Sequence, residues 1–229
     1  MPDLFVTLLW LSVTVVAFTA MDRLSQKLGR HPLAHPVLWS VPLIITALWI
    51  TGTAYDTYVA STAMISFLLG PAVVSMAVPI WEQRKAIRKL AGPLALAVTA
   101  GAVTAIVSAV GIVWMFGAPL EIMATIAPRS TTTPVGMAVA TTLGGIPALA
   151  AIIIIFSGVL GAMVATPILN LMRIRDYRVR GFAAGVAAHG VGSARAFQVS
   201  ETAGAYAGLG MALNAVVTAT LLSIFAALT

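Results

Sequence analysis

The chain has no cysteine among its 229 residues, which excludes disulfides, thiol nucleophiles and thiolate metal sites. Only seven acidic residues and three histidines are present, too scattered to form the clustered nucleophile, base or ligand set of a hydrolase or metalloenzyme. His31 and His35 stand four apart, a spacing that suits one helix face, but Pro32 and Pro36 disfavour a helix there. No Walker, glycine-rich nucleotide or zinc motif occurs. These absences describe a protein that is not an enzyme and uses no cofactor and no metal, so any uphill work would draw on an ion gradient. Charged residues make up 9% of the chain against 60% hydrophobic residues, with a mean hydropathy of +1.01. Soluble domains of this size lie far from such values; a polytopic membrane protein does not.

The charge that is present is lopsided, with thirteen Lys and Arg giving a formal net charge of +6. Nucleic acid is not the partner this implies, because the basic residues flank apolar runs instead of lining one soluble face. Eleven of the thirteen fall in three clusters: Arg23, Lys27 and Arg30; Arg84, Lys85, Arg88 and Lys89; and Arg173, Arg175, Arg178 and Arg180. Positive charge of this kind marks the cytoplasmic flanks of membrane spans. The two exceptions, Arg129 and Arg195, lie inside apolar stretches broken by Gly, Thr and Pro. A cation at membrane depth needs a partner, a water-filled cavity or an anionic ligand.

Crossing a bilayer takes roughly 20 apolar residues, and six runs approach this at about 4–21, 37–53, 62–81, 93–116, 146–166 and 203–228. The first is preceded by Asp3 and followed by Arg23, the reverse of a signal peptide, so it reads as a retained span. Keeping the basic loops in the cytoplasm puts the N-terminus outside and requires 117–145 and 181–202 each to return to the side from which they came. The expected fold is all-α: a polytopic transmembrane bundle of about six full spans plus two broken or re-entrant segments. Residues 1–229 form a single domain in this reading, with 1–90 as scaffold-like spans and 91–229 as the bundle that holds the site.

The first returning segment contains Arg129, Ser130, Thr131, Thr132, Thr133 and Pro134. Pro134 suits the first turn of a new helix, one of the threonines can cap it, and Gly144-Gly145 would stop it. In the second, Gly190 and Gly192 interrupt a helical run flanked by His189 and Arg195, and Ser193 can cap the helix after the break. With one segment entering from each side, two helix N-termini would face each other near the bilayer midplane. Each brings partial positive charge and unpaired N–H donors, and opposed broken helices around a midplane site are a transporter plan. Arg129 and Arg195 would add fixed charge suited to a bidentate grip on a carboxylate. His189 is the proton-coupling candidate, since its ordinary pKa lies near 6.5, although a buried structural histidine is the plainer alternative. The spacings Gly181 to Gly185 and Gly204 to Gly208 signal close helix packing and carry no chemistry.

At these residues the chain resembles the LrgB/CidB family of membrane proteins, whose relatives include the LrgB-like half of the plastidic glycolate/glycerate translocator. The stretches that carry the resemblance are His35-Pro36, Leu69 to Pro79, Pro128 to Pro134, Gly144-Gly145-Ile146, Arg180 to Gly185 and His189 to Arg195. Two departures stand out: the family's usual Lys-Ser-Val-Thr-Thr-Pro has Arg129 and Thr131 here, and its Gly-Thr-Ala-Ser-His is Gly185-Val-Ala-Ala-His189, which loses two hydroxyls. The resemblance implies a multi-pass protein of the bacterial plasma (inner) membrane and two competing functions. One is antiholin-like regulation of murein hydrolase export and cell lysis with a small LrgA/CidA-like membrane partner. The other is transport of small monocarboxylates or hydroxycarboxylates of the pyruvate, glycolate and glycerate type, coupled to H+ or Na+. Two cations and two broken helices at membrane depth favour the transporter. Assembly into a homo-oligomer, and with it a pore in place of a carrier, stays open.

Overall fold

A computed structural model describes residues 3–29, 34–75 and 77–228; Arg30, His31 and Pro32 therefore lie outside the described residues. The described chain is helical throughout and divides into two compact units, Met1–Met76 and Ala77–Thr229.

In the first unit, α1 (Leu4–Lys27) begins where the Asp3 carboxylate accepts the Val6 amide at 2.7 Å, satisfying one of the donors that a helix start leaves open. α2 (Pro36–Thr51) starts on proline and ends at Gly52, which takes a left-handed conformation at φ +64°. The chain then bends by 118° into α3 (Tyr55–Ser61), and α4 (Ala63–Ser75) runs helically through Pro71. Tyr58 packs edge-on against buried Trp10, with ring centroids 5.6 Å apart, and shares a hydrogen bond of 3.1 Å with Thr14, so it ties α3 to α1.

The second unit comprises α5 (Ala77–Glu82), α6 (Arg84–Lys89), α7 (Ala91–Met115), α8 (Leu120–Ile126), α9 (Thr133–Thr142), α10 (Pro147–Leu171), α11 (Tyr177–Val199) and α12 (Glu201–Leu228). Leu94 and Val98 of α7, Phe182 of α11 and Tyr206 of α12 form one core cluster. Ala127, Val139 and Leu222 form another.

The α8–α9 segment is a hairpin that enters and leaves on one side. Its two ends are pinned by Thr125, whose hydroxyl donates to the Glu121 carbonyl at 2.6 Å and accepts the Ile146 amide at 2.8 Å, just before α10 begins. α9 stops as the sequence indicates: Gly144 turns left-handed at φ +76° and the Gly145 amide returns to the Ala140 carbonyl at 2.8 Å.

α11 is also a hairpin, although its helical character is nearly continuous. Ala188 and His189 leave helical geometry, with His189 at φ +38° and ψ −128°. The limb before the break runs parallel to α12: Gly181 lies on the Ala203 backbone, Gly185 on the Ala207 backbone, and Gly210 on the Phe182 carbonyl. The limb after it folds back, with Gly192 on the Ala184 carbonyl, Ala196 clustered with Ala203 and Ala207, and the Phe197 ring on Gly204. Only this reversal lets α12, two residues beyond Val199, start beside Gly181 and travel in the same direction as the entering limb.

The expected break at Gly190 and Gly192 is thus corrected to Ala188–His189. Both glycines sit in the helical limb after it, and Gly192 is there for close packing, not for a turn. Ser193 does not cap that limb; its buried hydroxyl donates to the His189 carbonyl at 2.9 Å. Outside the spans, the Asp176 side chain accepts the Arg178 amide at the start of α11. Hydrogen bonds from the Arg178 side chain hold its carboxyl below the usual range. That contribution is present above the ordinary carboxylate pKa of about 3.9 and is lost as pH falls through the lowered value.

Six full spans were expected. Among the described residues, four single helices are long and apolar enough to cross a membrane, α1, α7, α10 and α12, and the bent α2–α3 pair would make a fifth. α2, with 16 residues, reaches only about 24 Å at 1.5 Å per residue, and the third expected run holds α4 and α5 on either side of Met76, which lies outside the described residues.

The glycine seam predicts a graded result. A methyl at Gly185 meets the rigid Ala207 backbone, whereas one at Gly111 in α7 meets nothing within 4 Å. Gly185→Ala should lower the thermal unfolding midpoint in detergent by the equivalent of about 1–3 kcal/mol, while Gly111→Ala should hold or raise it. Equal midpoints for the two variants would contradict the packing described.

Candidate functional site

The two hairpins enter from opposite ends of α10. The first lies beside its start and the second follows its end, and their tips meet at the middle of the helix. Arg129 at the first tip donates to the Ser157 hydroxyl at 3.2 Å. His189 at the second tip bonds the Ile154 carbonyl at 2.9 Å, one turn from Ser157. A carbonyl only accepts, so Nε2 carries the hydrogen and Nδ1 is left as the second ring nitrogen. The imidazole rests on Gly158, where any β-carbon would collide with the ring. Ser157 is the eleventh of the 25 residues of α10.

Asn214, fourteenth of the 28 residues of α12 and fully buried, closes the junction from the other side. Its amide nitrogen donates to the Ser130 carbonyl at 2.8 Å, approaches the Ser130 hydroxyl at 3.3 Å, and reaches the Val186 carbonyl in the entering limb of α11 at 3.2 Å. Thr218 donates back to the Asn214 oxygen at 3.3 Å. One side chain therefore links both broken segments at mid-helix depth. Sequence reasoning passed over Asn214, Ser157 and Thr125. The one available signal was a lone Asn inside the apolar run 203–228, where a polar side chain at membrane depth marks function or structure.

The threonines divide the work differently from the expectation. Thr131 is buried and donates to the Pro128 carbonyl at 2.8 Å, closing the loop on itself. Thr132 is the residue before α9, but its hydroxyl makes no capping bond. It is half-buried, as is Thr133, and among the described residues neither hydroxyl makes a hydrogen bond within the chain. Pro134, which has no amide hydrogen, is exposed in the first turn. The start of α9 thus offers unsatisfied donors and hydroxyls beside a half-buried arginine. Among the described residues no carboxylate comes within ion-pair distance of Arg129.

Arg195 does not join this group. It lies six residues beyond the tip, its Nη1 points on to Gln198 Oε1 at 3.4 Å, and it lines a cavity of about 410 Å³ with Gly192, Asn170, Arg175 and Arg180. The expected convergence of both arginines fails because the hairpin returns. Each residue after His189 carries the chain away from the tip. Gly190 lies in this returning limb, where an added β-carbon would come only to 4.0 Å from the Met211 sulfur. Among the described residues no three His, Asp or Glu side chains gather as a metal site would require.

Replacing Asn214 by Leu would leave the Ser130 and Val186 carbonyls without their donor, at about 1–3 kcal/mol for a buried unsatisfied group. The detergent-solubilised variant should unfold at a lower temperature and lose amide protection around 129–136. A variant as stable and as protected as the parent would refute the bridging role.

Comparison with known proteins places the chain among membrane-protein relatives. The chain is 32% identical over 204 residues to the uncharacterized protein YxaC of Bacillus subtilis, covering 89% of this chain and 88% of that one. It is 27% identical over 215 residues to the uncharacterized protein YwbG of the same organism, covering 94% and 95%. It is 29% identical over 224 residues to the holin-like protein CidB of Staphylococcus aureus, covering 98% and 97%. No solved structure matches. Residues 14–228 match the LrgB-like family, and the chain, a multi-pass membrane protein, belongs to that family.

Proposed function

We propose that the protein carries small monocarboxylates or hydroxycarboxylates of the pyruvate, glycolate and glycerate type across the bacterial plasma membrane, with its N-terminus outside. The observation that supports this is the meeting of two oppositely entering hairpins at the middle of α10 and α12, with Arg129 held there by a serine hydroxyl and not by a carboxylate. A guanidinium withdrawn from water in this way attracts an anion. Its planar fork grips a carboxylate, and the first turn of α9 adds oriented amides. Thr132 and Thr133 supply hydroxyls for the substrate's carbonyl or hydroxyl oxygen. Ser130, Gly192 and Ser193 shape the two segments from behind.

Uphill movement needs H+ or Na+. His189 is the candidate for H+, and because Nε2 is engaged with Ile154 a proton taken up must go to Nδ1. Alternating access would follow from movement of the hairpins against the long helices.

A second reading rests on the relatives. A holin-like name for CidB proteins favours antiholin-like regulation of murein hydrolase export, in which the chain would act with a small LrgA/CidA-like membrane protein or as a homo-oligomer. That role gives no physical reason for an arginine at the junction with no carboxylate partner among the described residues.

Vesicles containing the purified chain, with and without an LrgA-like partner, should take up labelled pyruvate, glycolate or glycerate saturably. Arg129→Gln should reduce that uptake at least tenfold with membrane insertion unchanged. Thr132→Val with Thr133→Val should weaken half-saturation by the equivalent of about 1–3 kcal/mol. Absence of saturable uptake by the parent chain would reject the carrier, and large unsaturable flux of unrelated solutes would identify a pore.

A further inference from the structure

We propose that the cavity between α10 and the second hairpin is a separate anion site, a hydrated vestibule that collects small carboxylates on the side of the basic loop before they reach Arg129. The identity of the anion rests on the transport reading; the existence of the site does not.

Three guanidinium groups, Arg175, Arg180 and Arg195, line this cavity of about 410 Å³ together with Thr166, Asn170 and Tyr177, and among the described residues no acidic side chain lines it. Asp176, next in sequence to Arg175, is already committed to Arg178 at 2.6 Å. Arg180 is held in place through Nη1 alone, which donates to Asn170 Oδ1 at 2.9 Å and to the Ile174 carbonyl at 2.7 Å. These bonds fix the guanidinium plane and leave the Nε and Nη2 edge, the pair that grips a carboxylate bidentately, without a partner among the described residues. A bidentate edge preset at the wall of a cationic cavity fits an oxyanion better than it fits a purely structural role.

Size and position support capture over occlusion. At roughly 30 Å³ per water the space equals about a dozen waters, so a three-carbon acid would keep part of its hydration. Along α10 the cavity lies around Thr166, nine residues from Ser157 and therefore about 13 Å from the anchor of Arg129 at 1.5 Å per residue. The two cationic positions are thus distinct stations on one helix. Charge gathered in a low-dielectric cleft raises the local anion concentration and makes entry sensitive to ionic strength.

Equilibrium binding of labelled pyruvate to the full chain in detergent at low salt tests this directly. Arg129→Gln should still bind, adding Arg175→Gln with Arg195→Gln to it should weaken binding at least tenfold, and Arg175→Lys should restore most of what Arg175→Gln alone removes. In vesicles, Arg175→Gln should raise the half-saturating pyruvate concentration for entry from the basic-loop side about tenfold at low salt, and the difference from the parent should vanish at high salt. No pyruvate binding by Arg129→Gln, or a triple variant that binds like Arg129→Gln, would overturn the vestibule. Binding retained by a parent chain that transports no carboxylate would sink the carrier and leave the anion site standing.

Discussion

Backbone that stops being helical inside a bundle of apolar helices has no water to fall back on, and the second unit of this protein is organised around that constraint. Two segments break at the midpoint of α10 and α12, and each freed polar group must find a partner inside the protein. The solution is economical in residues. Asn214 serves Ser130 and Val186, the His189 ring serves Ile154, the Ser193 hydroxyl serves His189, and Thr131 folds back on Pro128. Among the described residues the hydroxyls of Thr132 and Thr133 at the start of α9, close in sequence to Arg129, make no hydrogen bond within the chain, which leaves that corner open to a ligand.

The hairpins are possible because small residues let backbones touch. The entering limb of α11 and α12 run parallel with Gly181 and Gly185 against the Ala203 and Ala207 backbones, a spacing that a side chain would open. Gly158 makes room for the imidazole, and Gly192 brings the returning limb onto the entering one. His189 itself occupies a left-handed conformation that costs about 1–3 kcal/mol for a residue with a β-carbon. The bond to Ile154 and the packing around it hold it there. Strain of this kind at a hinge between two limbs is where a moving element would bend.

The sequence made much of this legible, for identifiable reasons. Pro134 and the threonines announced the first break, Gly144 announced its end, and two arginines outside the basic clusters pointed to the two segments that break. The family was readable from the order and spacing of its motifs. Other features were hidden. Glycines in the second segment looked like helix breakers, yet Gly192 serves packing, and the break fell on a histidine that only its partner on α10 could hold in place. Asn214 makes its contacts across 84 and 28 residues of sequence, beyond any local pattern. Arg195 was placed at the tip because the return of the hairpin carries no periodic signal; the structure sets it in a cationic cavity further along.

The central claim is that both tips lie at the middle of the membrane and face each other. The absence of cysteine allows single labels to be introduced without background. Spin labels placed one at a time at Thr132 and at Gly190 in vesicle-embedded protein report their depth through relaxation by oxygen and by a water-soluble nickel complex. Both positions should report the depth of the hydrocarbon centre, with residual access to the polar relaxant from a hydrated cavity. Both labels at headgroup depth would contradict the account.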